Sequence, residues 1–336
     1  MESSRIVNRL AVAAIALTAL LTGCKLRTDH AEVVLPAAVR TVMYDTASVN
    51  FIDFAHYGEL KSLPIGIFDA DSTSMTLLET CTGMDCFDNI TGVRRSDGIL
   101  DFAGEYFQYY TARSDDDCFN STLFLMEDRY WDSFEKERSK IIVAGGALLP
   151  SKGLDEMMSL SEHNGAGVKV ISAVDAGVRA MFDSLSDNNI ASLTVALLSN
   201  GSNDRLAYSE AIRKISAEQG NTRSISLISG KNSREGLSQI VEELKDASTK
   251  SPLKVIIVDG LGEDYWQDWQ DCLALLEQYR SSFGNGTYPY RSILADDIIF
   301  VNPSLSAAVE CYTALRRGKN LALRADKQKV SYFYGF

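Results

Sequence analysis

Residues 64–78 read PIGIFDADSTSMTLL, a short apolar run followed by a polar turn and the start of a second apolar segment. The run at 64–68 has the length and the isoleucine content of a strand that is buried on both faces. Asp69 follows this run and precedes a predicted helix, where α/β proteins place ligand-binding or helix-capping side chains. The stretch therefore predicts a β-strand that leads into an α-helix, with a carboxylate between them.

The same strand pattern recurs along the chain, with helical patterns between the strands. The further apolar runs are 141–144 (IIVA), 168–171 (VKVI), 193–198 (LTVALL), 224–228 (SISLI), 255–258 (VIIV) and 298–301 (IIFV). Between two of them, Leu237, Ile240, Val241 and Leu244 recur at helical spacing. Such alternation predicts an α/β protein with mainly parallel sheets, and 336 residues suggest about two domains.

The N-terminus has the pattern of an export signal. Arg5 and Arg9 precede an apolar run at 10–21, and Leu-Thr-Gly-Cys ends at Cys24. The apolar run is too short for a transmembrane helix, which needs about 20 residues, and the tetrapeptide resembles a bacterial lipobox. We therefore expect residues 1–23 to be a lipoprotein signal peptide, Cys24 to carry the lipid, and residues 24–61 to form a tether. The protein would be anchored in the membrane of the bacterial cell envelope, with its body in the periplasm or at the cell surface.

Composition argues against several classes of partner and cofactor. The net charge is −12, and an acidic surface repels phosphate backbones, so nucleic acid is not expected to bind. The three histidines and the cysteines do not cluster, so no metal site is predicted, and the acidic run at 115–117 is interpreted as a solvated loop. Nucleotide-binding glycine motifs do not occur in the sequence, and no cofactor is expected.

Several segments, in the same order, resemble glutamate racemases of the Asp/Glu racemase family. The stretch at 64–78 resembles the opening of that family, and residues 175–179 (DAGVR) resemble a later conserved turn. Residues 199–208 (SNGSNDRLAY) and 298–307 (IIFVNPSLSA) resemble two further segments, so the likeness covers roughly residues 62–318.

The resemblance implies two similar α/β domains that face a central cleft, in which the substrate binds. The first domain would comprise residues 62–165 plus 305–325, and the second would comprise residues 166–304. In the family, two cysteines on opposite sides of the substrate α-carbon remove and return its proton, because a single base would return it to the same face.

The chain departs from the family at both of these cysteines. Gly145 stands at the position of the first, and the second matches about Gly260. Cys118 lies beside an acidic run, which would raise its thiol pKa, and Cys272 lies inside a predicted helix, so neither is expected to serve instead. The sequence thus predicts a racemase-like protein without racemase activity, a pseudoenzyme.

Four side chains are candidates for a ligand pocket in the former active-site cleft, where a small ligand or a partner would bind: Asp69, Asp175, Asn200 and Ser202. Two alternatives remain open. The chain could be a periplasmic solute-binding lipoprotein of a transport system, since that fold has the same strand–helix alternation. It could also be an enzyme of different chemistry, based on the carboxylates of Asp69, Asp175 and Asp259.

Overall fold

The computed structural model describes residues 34–69, 75–111, 117–131, 134–185, 190–247, 251–260, 265–281, 289–322 and 327–334. The chain divides into two units, Met1–Pro36 and Ala37–Phe336. Only residues 34–36 of the first unit are described, so the predicted signal peptide and Cys24 lie outside the described residues. In the described ranges, no helix has both the length and the apolar character needed to cross a membrane.

Strands and helices alternate through the second unit. The strands are β1 Ile65–Asp69, β2 Tyr106–Thr111, β3 Arg129–Trp131, β4 Phe134–Lys136, β5 Ile141–Gly145, β6 Lys169–Ser172, β7 Ser192–Leu198, β8 Ser224–Gly230, β9 Leu253–Val258, β10 Leu294–Val301 and β11 Lys329–Tyr334. The helices are α1 Ala37–Tyr44, α2 Thr76–Gly83, α3 Cys118–Met126, α4 Leu154–His163, α5 Ala173–Ser184, α6 Asp204–Glu218, α7 Arg234–Asp246, α8 Tyr265–Ser281 and α9 Pro303–Gly318.

Nine of these strands form two separate parallel sheets. The first sheet has the order β11-β2-β1-β5-β6, and the second has the order β10-β9-β7-β8. Every residue of β1, β5 and β9 is buried, as expected for strands with helices on both faces. The predicted α/β class with mainly parallel sheets is therefore confirmed. The remaining pair, β3 and β4, is a short antiparallel hairpin.

All seven strands predicted from apolar runs are present, but two strands of the first sheet were missed. β2 reads YFQYYT and β11 reads KVSYFY, so aromatic and polar residues replace the valine and isoleucine of the other strands. β11 is an edge strand, and its residues are mostly exposed or half-buried. Edge strands need less apolar surface than central ones, so the sequence pattern of β11 is weak.

The sheets and helices differ from the predicted domain limits in two places. β6 was placed in the second domain, beginning at residue 166, but it pairs with β5 in the first sheet. α1 lies within the segment interpreted as a tether, yet Val39 and Val42 are buried. Burial of these apolar side chains makes α1 part of the folded unit rather than of a tether. The exact domain limits stay a prediction.

A buried ion pair joins the start of β2 to the start of β5. Lys140 Nζ donates to Glu105 Oε2 at 2.6 Å, and the side chains are 0% and 2% exposed. Lys140 Nζ also donates to the carbonyl oxygen of Asn320 at 2.9 Å, and Glu105 Oε1 accepts from the backbone N–H of Ala322 at 2.7 Å. The pair thus holds the segment after α9 against the first sheet. This segment leads on to β11.

Candidate functional site

Each parallel sheet has one switch point, a pair of neighbouring strands from which the chain adds strands first on one side and then on the other. From β1 the chain goes to β2 on one side and later to β5 on the other, so the first of these points lies between β1 and β5. In the second sheet, β8 and β9 flank β7, and the point lies between β7 and β9. In open α/β sheets, ligands bind in the crevice that such a point leaves at the carboxyl ends of the strands.

Asp69 ends β1 at the first of these points. Its side chain is buried, with 5% of the residue exposed, and Tyr109 Oη on the neighbouring strand β2 donates to Asp69 Oδ2 at 2.9 Å. Burial, and then the charge of Asp69, raise the pKa of the Tyr109 phenol well above its ordinary value. Tyr109 therefore stays protonated and serves as a hydrogen-bond donor to the carboxylate.

Gly145 ends β5 directly beside Asp69, its partner in the strand register. A Cβ atom built on Gly145 would overlap Asp69 Oδ1 and lie 3.3 Å from Leu77 Cδ2. Any side chain at position 145 would therefore collide with the carboxylate in its present place. The Asp69 side chain on β1 thus fills the space that a side chain at position 145 on β5 would occupy.

Asp259 occupies the corresponding place in the second sheet. It follows β9, and its backbone N–H donates to the carbonyl oxygen of Leu198, the last residue of β7, at 2.9 Å. Tyr208 on α6 is fully buried, and its Oη donates to Asp259 Oδ2 at 2.8 Å. Both sheets thus carry a buried tyrosine hydrogen-bonded to an aspartate at the switch between strands.

The pKa of Asp259 is raised from its ordinary 3.8 to about 6, chiefly by burial and further by the charge of Asp204. The hydrogen bonds from Tyr208 and from the backbone N–H of Gly260 act in the opposite direction. Because this pKa lies near neutrality, a modest change of surroundings would shift the protonation of Asp259. A carboxyl group in this state can accept or donate a proton.

We expect the variant Asp259→Asn to be more stable than the wild-type protein at pH 7.5 but not at pH 4. Because the folded-state pKa is raised, the protonated carboxyl contributes stability below pH 4, and this contribution is lost as the pH rises through about 6. The raised pKa of Asp259 corresponds to a loss of up to about 3 kcal/mol in the free energy of unfolding at pH 7.5. Urea unfolding between pH 4 and 7.5 measures it.

Asp183→Asn is the matched control, since Asp183 lies exposed on α5. Its free energy of unfolding should stay within about 0.5 kcal/mol of the wild-type value at each pH. A difference between Asp259→Asn and wild type that does not change with pH would contradict the assigned protonation behaviour of Asp259.

Two of the predicted pocket residues lie near Asp259. Asn200 and Ser202 are exposed in the turn that connects β7 to α6, the helix that carries Tyr208. Asn200 Oδ1 accepts from the backbone N–H of Asn232 at 3.3 Å, and Asn232 Nδ2 donates to the carbonyl oxygen of Asp259 at 3.2 Å. The structure therefore links Asn200 to the end of β9 through Asn232.

Asp175 has a different environment. It lies in the first turn of α5, and its backbone N–H donates to Ser172 Oγ at 3.3 Å, which caps the helix. The Asp175 carboxylate is mostly buried, and its Oδ2 lies 3.5 Å from Lys214 Nζ on α6. Its charged partner is thus a lysine of a packed helix rather than a group at the strand ends.

The two cysteines considered as substitutes are both buried. Cys118 Sγ donates to the carbonyl oxygen of Lys152 at 2.9 Å, and burial, more than the neighbouring Asp117, raises its pKa to about 12. The acidic surroundings named from the sequence are therefore the smaller cause. Cys272 lies in α8 and packs in an apolar cluster with Leu275 and Leu276. A protonated, buried thiol is a poor base.

Across the residues that the structure describes, no group of three His, Cys, Asp or Glu side chains could hold a metal ion. Asp115 and Asp116 of the acidic run lie outside the described residues. Asp117 caps α3, accepting from the backbone N–H of Asn120 at 2.7 Å.

The two tyrosines are the residues of the candidate site that were not identified from the sequence. In the sequence, Tyr208 is only the last residue of the segment 199–208 that resembles the racemase family, and Tyr109 belongs to a strand that was missed. Tyrosine is the informative residue type in such a place, because a buried phenol needs a hydrogen-bond partner. That requirement does not indicate which residue the partner is.

The chain matches no protein-family model and no curated protein. Among solved structures, it is similar to glutamate racemase isoform RacE1 from Bacillus anthracis, with 14% identity, a TM-score of 0.44, and coverage of 82% of this chain and 89% of that chain. Glutamate racemase from Francisella tularensis, in complex with D-glutamate, has 15% identity, a TM-score of 0.47 and the same coverage.

An ABC transporter solute binding protein from Clostridium phytofermentas with bound L-rhamnose is also similar, with 12% identity and a TM-score of 0.29. That alignment covers 76% of this chain and 82% of the other. At such identities the similarity concerns the α/β fold alone.

Proposed function

We propose that the chain is a lipid-anchored protein of the bacterial cell envelope whose racemase-like body lacks racemase activity and binds a small ligand at its strand ends. The observation that carries the inactive assignment is the packing at Gly145. The position that the resemblance assigns to the first cysteine has no room for a side chain while Asp69 holds its place. The Asp69 carboxylate, held by Tyr109, occupies that space.

The geometry at the second predicted position supports the same conclusion. Gly260 has a φ of +70°, a left-handed conformation that a cysteine would adopt only with strain. The described thiols nearest in sequence to either position, Cys118 and Cys272, are buried in packed helices. A cofactor-independent racemase needs an acid and a base on opposite faces of the α-carbon, and neither of these two buried thiols is suited to either role.

Ligand binding is assigned to the end of the second sheet. Asn200 and Ser202 are exposed there, and Asp259 is partly accessible behind them. These groups offer an amide, a hydroxyl and a carboxyl at the switch between β7 and β9, where α/β sheets bind ligands. A solute-binding role in transport would use the same crevice and remains the second candidate, because polar groups at strand ends would serve it equally well.

The third possibility, a carboxylate-based enzyme, receives less support. Asp69, Asp175 and Asp259 have separate partners, namely Tyr109, Lys214 and Tyr208. Each carboxylate thus has its own local role in packing or capping, without any need for the other two.

The test of inactivity is isotope exchange with the full-length protein, purified in mild detergent. We expect L- and D-glutamate and L- and D-aspartate to keep their α-proton in deuterated water at the rate seen without protein. Proton NMR follows the loss of the α-proton signal. Exchange above the protein-free rate, in the absence of added cofactor, would overturn the assignment.

Ligand binding is tested by a thermal-shift screen of amino acids, dicarboxylates and sugars. A ligand present at 100 times its Kd should stabilise the protein by about 2.7 kcal/mol. Ser202→Ala should weaken the shift, whereas Ser209→Ala, at an exposed position on α6, should leave it unchanged. Equal shifts in both variants would place the ligand elsewhere. A sugar as the binding ligand would favour the transport role.

A further inference from the structure

One loop concentrates the exposed apolar side chains of this protein. Within the described residues, eleven large apolar side chains are exposed, and four of them lie in the loop at residues 90–100, ITGVRRSDGIL. Ile90 is 86% exposed and Val93 is 60% exposed, and Ile99 and Leu100 are also exposed. A cluster of this kind on a folded protein marks a surface that something else covers.

Hydrogen bonds hold the backbone of the 90–100 loop in a defined conformation. Asp88 Oδ1 accepts from the backbone N–H groups of Ile90 and Thr91, at 3.1 and 2.9 Å. Across the loop, Asn89 Nδ2 donates to the carbonyl oxygen of Ile99 at 2.8 Å. These bonds bring the two ends of the loop together, so both pairs of apolar residues lie on one short, closed loop.

Helix α9 holds the loop against the body. Arg316 donates to the carbonyl oxygens of Asn89 and Ile90, at 3.1 and 2.9 Å, and Tyr312 Oη donates to Asn89 Oδ1 at 3.0 Å. Gly92, with a φ of +75°, packs so closely that a Cβ there would overlap the Arg316 guanidinium. These contacts hold the backbone of the loop against α9, with its apolar side chains exposed.

Exposed arginines lie in the loop and beside it. Arg94 is exposed in the loop, whereas Arg95 forms an ion pair with Asp88, which lies just before the loop, at 2.7 Å. Arg317 on α9 adds a further exposed cation, and it lines with Arg94 a cavity of about 620 Å³. Apolar residues beside exposed arginines are the combination that binds an anionic lipid surface.

The predicted anchor brings such a surface within reach. If Cys24 carries the lipid, thirteen peptide steps lead to Ala37, where the folded unit begins. Fully extended, they span at most about 45 Å. The membrane is therefore always near the body, and even a weak contact becomes an intramolecular one with a high effective concentration.

We propose that the 90–100 loop is a membrane contact, in which its apolar side chains lie in the lipid interface and the exposed Arg94 and Arg317 lie among anionic lipid headgroups. This inference rests on the proposed lipid anchoring. Such a contact would fix the orientation of the body on the membrane.

The test places a fluorescent reporter on the loop. The full-length lipidated variant Val93→Trp is reconstituted into vesicles of phosphatidylethanolamine and phosphatidylglycerol, with or without brominated acyl chains, which quench tryptophan on contact. We expect the fluorescence that V93W adds over the parent protein to fall about twofold or more with brominated lipid, as for an interfacial side chain. Leu206→Trp is the matched control, at a residue 52% exposed on α6, and its added fluorescence should not change.

A second arm tests the charges, with Arg94→Glu and Arg317→Glu added to V93W. Quenching should then be lost, while circular dichroism reports an unchanged fold. Equal quenching of V93W and L206W, or none in either, would overturn the membrane contact and leave a protein partner as the cover of this surface. Protein that does not float with the vesicles would instead refute the anchor, and the loop proposal with it.

Discussion

Replacing Lys140 by methionine is expected to lower the free energy of unfolding by about 3–5 kcal/mol, because a buried carboxylate would lose its cation. Glu105 is 2% exposed and cannot reach water, and the Asn320 carbonyl oxygen would lose its donor as well. Both groups lie where the chain after α9 meets the first sheet, so β11 should detach more readily. Urea unfolding measures the loss of stability, and hydrogen exchange locates it at β11.

Two variants test whether the burial of Glu105, the partner of Lys140, causes the large loss of stability. Lys254→Met removes another buried lysine, but its partner Asp297 is 84% exposed, so we expect a loss of only about 1 kcal/mol. The double variant Lys140→Met with Glu105→Leu removes both charges and should recover most of the stability that the single variant loses. Equal losses for Lys140→Met and Lys254→Met would contradict this account.

The variant Gly145→Ala is expected to destabilise the protein by about 2–3 kcal/mol, although it adds a single methyl group. The new Cβ would overlap Asp69 Oδ1, with Leu77 closing the other side, so the carboxylate would have to move and break its bond with Tyr109. The loss of this hydrogen bond to the buried Tyr109 phenol adds to the cost. Thermal unfolding followed by calorimetry measures the effect.

A double-mutant cycle separates this collision from a general cost of alanine in a strand. In the Asp69→Ala background the carboxylate is absent, and Gly145→Ala should cost about 1–3 kcal/mol less than in the wild-type protein. Gly83→Ala, at the end of α2 with no atom near the added Cβ, should be neutral or stabilise by up to about 1 kcal/mol. Additive effects of the Gly145 and Asp69 substitutions would show that the two residues do not share this space.

Local sequence patterns determined the fold class of this protein. A run such as 255–258 (VIIV) identifies a strand on its own, because its residues are apolar and β-branched whichever strand lies beside it. The position of Asp69 at a strand end likewise follows from local sequence, namely from the apolar run at 64–68 that precedes it. The position of Gly145 after a strand also follows from sequence, whereas its replacement of a catalytic thiol stays a prediction from resemblance.

Only the tertiary structure decided which side chains meet at those strand ends. Tyr109 and Asp69 are 40 residues apart, and Tyr208 and Asp259 are 51 residues apart. Hydrophobic periodicity reports on residues within a turn or two of each other, so it cannot pair groups on different strands. Strand order brings Asp69 beside Gly145 and Asp259 beside the end of β7, and that order results from the packing of the whole sheet. The sequence therefore located the ends of the strands, and the packing of the sheets decided what fills them.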